Sequence, residues 1–217
     1  MAQIFPPSAN WFSKASVLIV LVFVGSLLSI ILNINRLDYV SKVNVPIVQP
    51  VPFSHKHHVQ GMGIDCRYCH TTVEESAFAG IPPTETCMTC HSQIWTEAPL
   101  LEPVRESYRT NTSLQWNRVH DLPDFVYFDH SIHLSKGIGC QSCHGQVDEM
   151  PLVWKENTLN MEWCLECHRA PEKFIRPQEE VFNMTWQAQD QESLGPKLVA
   201  EYQVQTSQLT NCSICHR

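Results

Sequence analysis

Every cysteine of this 217-residue chain belongs to one repeated pattern. The ten fall into five Cys-x-x-Cys-His pentapeptides: Cys66-x-x-Cys69-His70, Cys87-x-x-Cys90-His91, Cys140-x-x-Cys143-His144, Cys164-x-x-Cys167-His168 and Cys212-x-x-Cys215-His216. None is left over. The spacing sets two thiols about one helical turn apart. They can bond the two vinyl groups on one porphyrin edge, and the histidine that follows is then aimed at the iron. This is the attachment signature of c-type haem. Zinc ribbons use Cys-x-x-Cys units in pairs, and five is odd. Redox dithiols and disulfide frameworks need no histidine after every second cysteine. The pattern predicts five covalent haem c groups, with His70, His91, His144, His168 and His216 as proximal iron ligands.

An electron-transfer haem takes a sixth ligand, usually histidine or methionine. Eleven histidines less the five proximal ones leave His55, His57, His58, His120, His130 and His133. An internal repeat suggests how these are shared. The stretch FSHKHHVQGMGIDCRYCH at 53–70 aligns with FDHSIHLSKGIGCQSCH at 128–144. Both read Phe-x-His-x-x-His before a Cys-x-x-Cys-His, and each is followed by a second such motif. The first histidine is expected to serve its module's first haem and the second histidine the next haem. That pairs His55 with His70, His58 with His91, His130 with His144 and His133 with His168. His120 is left for the His216 haem. His57 has Ile132 as its counterpart and reads as a bystander. Met150, Met161 and Met184 are the alternative distal ligands, with His57 behind them. Irons with two protein ligands have no free position for a substrate, which points to electron relay rather than haem-based catalysis. No catalytic residue is expected.

Residues 15–35 carry no charge and are long enough, as a helix, to reach about 30 Å. Lys14 and Arg36 bracket them, and Trp11 and Phe12 stand where an interfacial aromatic belt belongs. The expectation is an uncleaved single-pass signal anchor with its N-terminus in the cytoplasm. c-type haem is attached outside the cytoplasm, so the remainder should lie on the periplasmic or external face. Residues 1–36 then form the anchor, 37–52 a Pro-rich extended spacer, and 53–217 a pentahaem domain. That domain divides into a di-haem module at 53–91, a connector at 92–127, a second module at 128–168 and a C-terminal haem at 169–217. The expected fold is a small multihaem c-type cytochrome with short helices and little regular structure. A turn at Pro82-Pro83 should lead to a Thr84 helix cap, and 97–123 reads as loop. The net charge of −7 comes with no basic run, which argues against a nucleic-acid partner. Asn111, Asn183 and Asn211 begin Asn-x-Ser/Thr triplets that read as chance.

The Phe-x-His-x-x-His module resembles the cytochromes of the c7 and c3 class. The stretches MAQIFPPSANWFSK, AGIPPTETCMTCH, VHDLPDFVYFDHSIH and NMEWCLECHR, with the anchor and all five motifs, resemble the pentahaem cytochrome subunit of alternative complex III. That resemblance implies a membrane complex that oxidises quinol and reduces a periplasmic cytochrome c or cupredoxin. It implies an iron–sulfur subunit, integral-membrane quinol-binding subunits and a monohaem cytochrome c as partners, with this chain as relay. The alternative is a free-standing, membrane-anchored multihaem quinol dehydrogenase.

Overall fold

The computed structural model describes residues 4–34 and 36–216. Met1, Asn35 and Arg217, which the sequence reading placed in the anchor and beside the last histidine, lie outside the described residues. The chain forms two compact units that divide after Lys42.

The first unit is helical. Helix α1 spans Ala9–Ile34, and none of its residues is buried within the protein. Two of its polar side chains bond along the helix itself: the Ser16 hydroxyl donates to the Ser13 carbonyl and the Asn33 amide to Ser29. Helices in apolar surroundings need this, since no water is there to bond stray polar groups. The run has a mean hydropathy of 2.8 and the length to cross a bilayer. Helix α2, Asp38–Ser41, follows and closes on Lys42 in the left-handed region.

The second unit begins at Val43. The Pro-rich segment 43–52 is extended as expected, but it is docked rather than free. Val43 bridges Lys155, the Ile47 amide donates to Val153, and Gln49 exchanges bonds with Asn117. Val51 is buried with Leu101 and Val104, against Met88, Leu114 and Trp116. Proline removes donors but leaves carbonyls and side chains, and these suffice to fix the segment.

Short helices carry every Cys-x-x-Cys-His motif: α3 (Cys66–Cys69), α4 (Thr84–His91), α7 (Cys140–His144), α8 (Met161–Arg169) and α10 (Cys212–Cys215). Asp65 caps α3, accepting from the Arg67 amide. The cap of α4 differs from expectation. Pro83 holds that position, Thr84 is already helical, and its hydroxyl pairs with Ser107 instead. The tract 97–123 is not all loop either. Helix α5 runs Glu102–Thr110, with Pro103 in the first turn where proline is tolerated. Helix α6 is His130–Ser135 and α9 is Gln191–Glu201. No strand forms among the described residues, only isolated bridges such as Ile138 with Ile175.

The internal repeat is a structural repeat. Copy one has one residue more than copy two between its second histidine and its glycine. The extra residue is absorbed as a π-helical turn, Lys56–Gly61, where copy two has the ordinary α6. Beyond it the two copies agree again. Gly63 and Gly137 both take positive φ, and the Ile64 amide reaches the His58 carbonyl as that of Ile138 reaches His133. Deleting Gln60 is therefore expected to convert the π turn to an α turn and leave the haem spectrum unchanged. Loss of low-spin absorbance in that variant would contradict this.

The two copies also hold each other. The Lys56 amide donates to Met150, six residues past His144, and the Ser131 amide donates to Ser76, six residues past His70. Each Phe-x-His-x-x-His turn is thus anchored on the chain that follows the other module's first motif.

Candidate functional site

Four histidine pairs face each other across a constant gap. Ring centroids are 6.5 Å apart for His55 and His70, 6.2 Å for His58 and His91, 6.4 Å for His130 and His144, and 6.2 Å for His133 and His168. Two metal–imidazole bonds of about 2 Å each, with about 1.2 Å from each nitrogen to its ring centre, hold two rings about 6.4 Å apart. The gap is that of one metal ion between two imidazoles. Interplanar angles run from 4° to 63°, which a rotation about the nitrogen–metal–nitrogen axis permits.

The second ring nitrogen is fixed by the backbone. Nδ1 of His58, His70, His91, His130, His133, His168 and His216 each lies 2.6–3.3 Å from a carbonyl oxygen. A proton held on Nδ1 leaves the Nε2 lone pair for a metal and sets the ring's direction. The carbonyl for His130 is Ala77, in the other module. Burial favours the neutral, ligating form. It pushes His55 down to about 4 and His144 down to about 3, with neighbouring histidines adding to both.

The phenylalanines that open each repeat have a geometric role that the sequence pattern did not explain. Phe53 stacks on His58 at 4.3 Å and meets His55 edge-on at 4.9 Å. Phe128 does the same to His133 at 4.4 Å and His130 at 4.8 Å. One ring thereby orients both histidines of its Phe-x-His-x-x-His stretch.

The fifth expected pair is not brought together. His120 lies edge-on to His144, with centroids 4.3 Å apart, and its Nε2 is buried without a partner. His216 instead has Phe125 beside it, by ring contact at 5.8 Å and through the Phe125 carbonyl. The reason is local. The bridge from Val126 to His216 pins the connector at 125–126, and His120 turns towards the second module. His57 is exposed on the π turn, and only its backbone amide is engaged, by Ser54. Met150 and Met184 are 1% and 6% exposed and belong to the apolar interior, whereas Met161 is 64% exposed.

Residues 126–217 match the family model for cytochrome c7 and related cytochrome c. The chain is also 37% identical, over 141 residues, to the multihaem cytochrome c subunit of menaquinone reductase from Nitratidesulfovibrio vulgaris (strain Hildenborough). That alignment spans 55% of this chain and 67% of the relative. The chain belongs to the c7-like multihaem cytochromes c. Its cofactor class is haem c, and its short helices and single apolar N-terminal helix are the architecture that the sequence predicts.

The attachment sites of this cytochrome follow an order other than that of the chain. Cys87 lies within electrostatic range of Cys69, Cys140 of Cys66, Cys143 of Cys167 and Cys164, and Cys164 of Cys215, which marks them as neighbours. Tyr68 and Thr89, inside the first and second motifs, share a hydrogen bond at 3.0 Å. His168 reaches the carbonyl of Leu209 just before the fifth motif. The sites thus run second, first, third, fourth, fifth. The two repeat modules meet at their first motifs, where His144 feels His70 and His55.

Arg176 is a site residue with no signal in the sequence. It is 6% exposed, lies over Trp186 and donates to the carbonyls of Glu180 and Asn183. Its guanidinium fills the space where a side chain at Gly139 would be, beside Cys140, and its Nε is unpartnered. A buried cation there disfavours the more positive, oxidised state of a neighbouring redox centre. Arg176→Met is expected to lower one midpoint potential in a redox titration and leave the rest in place. Unchanged potentials would show that the cation is too well screened to act.

Proposed function

We propose that this cytochrome is the electron-relay subunit of a quinone-linked membrane complex, with a haem on each of its five motifs. When bound, haem c supplies a one-electron ferric/ferrous couple. The chain's own residues do the rest. The cysteines of each motif would hold a haem covalently, the four facing histidine pairs would supply its iron ligands, and backbone carbonyls hold those rings in register. The observation that carries this reading is the set of four histidine pairs at one metal-sandwich spacing, strung in a single file of attachment sites.

Helix α1 is the membrane anchor in this reading, with the rest of the chain on the periplasmic or external face. The finer reading is the relay subunit of alternative complex III, passing electrons from a quinol-binding membrane subunit to a periplasmic cytochrome c or cupredoxin. The name of the menaquinone reductase relative favours a second direction, from an electron donor into menaquinone. A file of sites carries electrons either way, so the partners decide.

Gentle detergent extraction tests the proposal. The full chain should leave the membrane with several integral-membrane and iron–sulfur proteins, and a menaquinol analogue should reduce its haems only in that assembly. A chain that extracts alone and is reduced directly by the quinol would instead be the free-standing dehydrogenase. Adding oxidised menaquinone analogue to the reduced assembly separates the two directions.

A further inference from the structure

We infer that His120 and Lys155 form a carboxylate-binding site beside His144, and that its ligand is a propionate of the haem on the third motif. This rests on the reading that the third motif carries a haem. His120 belongs to none of the four facing pairs, yet it is held in the interior. Its ring lies edge-on to His144, with centroids 4.3 Å apart, and its Nε2 is buried without a partner. A buried imidazole nitrogen with nothing to bond carries a desolvation cost that a ligand would relieve. A second axial ligand for the site of His144 does not explain it, because His130 already faces that ring at 6.4 Å.

Lys155 supplies the charge. Its backbone is pinned: Val43 bridges it, and its carbonyl accepts from the Asn44 amide. The two residues after it lie on the third motif. Asn157 donates to the Cys143 carbonyl at 3.3 Å, and Glu156 fills the space where a side chain at Gly145 would be. The ammonium group rooted in this segment comes within electrostatic range of His120. The carboxylates next to the two residues in the chain are engaged elsewhere. Asp121 pairs with Arg118, and Glu156 accepts from the Trp154 ring nitrogen. A cation and an unpartnered ring nitrogen therefore stand beside His144 without an acidic side chain bonded to either, among the described residues. A haem brings two carboxylates, which need such partners wherever they leave water. The lysine would cancel a carboxylate's charge and keep that haem easier to reduce.

The test uses the full chain in its extracted assembly. It reads midpoint potentials and the haem-carboxylate bending band in resonance Raman. Lys155→Met should lower one midpoint potential and shift the band of one haem in five. His120→Leu should shift the band of that same haem, while His120→Gln, which keeps a donor, should stay close to the wild type. The double variant Lys155→Met, His120→Leu should fall short of the sum of the single effects, since both residues act on one group. Additive effects, or a band that neither single variant moves, overturn the proposal. A high-spin signal in His120→Leu would make His120 an iron ligand and overturn it too. Added acetate separates the haem's own carboxylate from a free one. It should leave the wild-type potentials unchanged, and a saturable shift that His120→Leu abolishes would assign the site to a soluble anion instead. The denatured mass, which counts haems whatever holds their carboxylates, is read in parallel. A count below five therefore marks failure of the five-haem reading rather than of the site.

Discussion

Replacing His144 with alanine is expected to split the relay in two. His144 stands where the two repeat modules meet. It faces His130 across the metal-sandwich gap, touches His120 and feels both His55 and His70. In the proposed relay its side chain would be the proximal ligand of the middle site in the file. Loss of a partner that merely orients a metal ligand costs roughly 10–100-fold in affinity or activity. Loss of the ligand itself should cost more. The variant should turn the middle haem high-spin, and electron exchange between the two ends should slow by more than about 100-fold. His58→Ala is the control. His58 pairs with His91 at the end of the file, so its loss should convert one haem to high spin and leave the others in contact. Pulse reduction with detection at the fifth haem distinguishes the variants. Equal effects of the two substitutions would contradict the proposed order.

The second large effect concerns the fold that sets this spacing. Gly137 and Gly63 are equivalent in the repeat, and both have positive φ. Their surroundings differ. A Cβ at Gly63 would meet nothing within 4 Å, while one at Gly137 would come 2.3 Å from the Arg176 carbonyl and 2.9 Å from the Tyr202 ring. Gly63→Ala should therefore cost only the left-handed backbone, about 1–2 kcal/mol. Gly137→Ala adds a displacement of residues 175–176. That displacement breaks the bond from the Arg176 amide to the Gly137 carbonyl and the bridge from Ile138 to Ile175. Its cost should reach roughly 3 kcal/mol or more. Urea titration of the two single variants, followed by haem absorbance, gives the comparison. Similar costs would mean that the close approach at Gly137 yields easily.

These effects also show which parts of the molecule the sequence made legible. Covalent chemistry has a fixed spacing, so the five Cys-x-x-Cys-His motifs could be read directly, and each lies on a short helix. Four histidine pairings followed from the repeat, because a duplicated module keeps its internal geometry even where one residue is inserted as a π turn. His120 was assigned by counting alone. Counting carries no direction, and the bridge at Val126 turns that histidine to the second module. Helix α5 was obscured by Pro99 and Pro103, which break helices in the middle but suit their first turn. The docking of segment 43–52 and the burial of Arg176 depend on contacts with residues about 70 and 40 positions away, such as Gln49 with Asn117 and Arg176 with Gly139. No local pattern encodes those. The exchange of anchors between the modules was equally invisible, since Lys56 and Ser131 bond through their backbone amides.

The most direct test of the central claim is an iron map of the full chain, from anomalous scattering or from density at comparable detail. The account predicts five irons in single file, in the order of the motifs at Cys87, Cys66, Cys140, Cys164 and Cys212. Four of them should lie between His58 and His91, His55 and His70, His130 and His144, and His133 and His168. Irons of the first and third motifs that are not nearest neighbours, or any of these four pairs holding no iron between its rings, would contradict it.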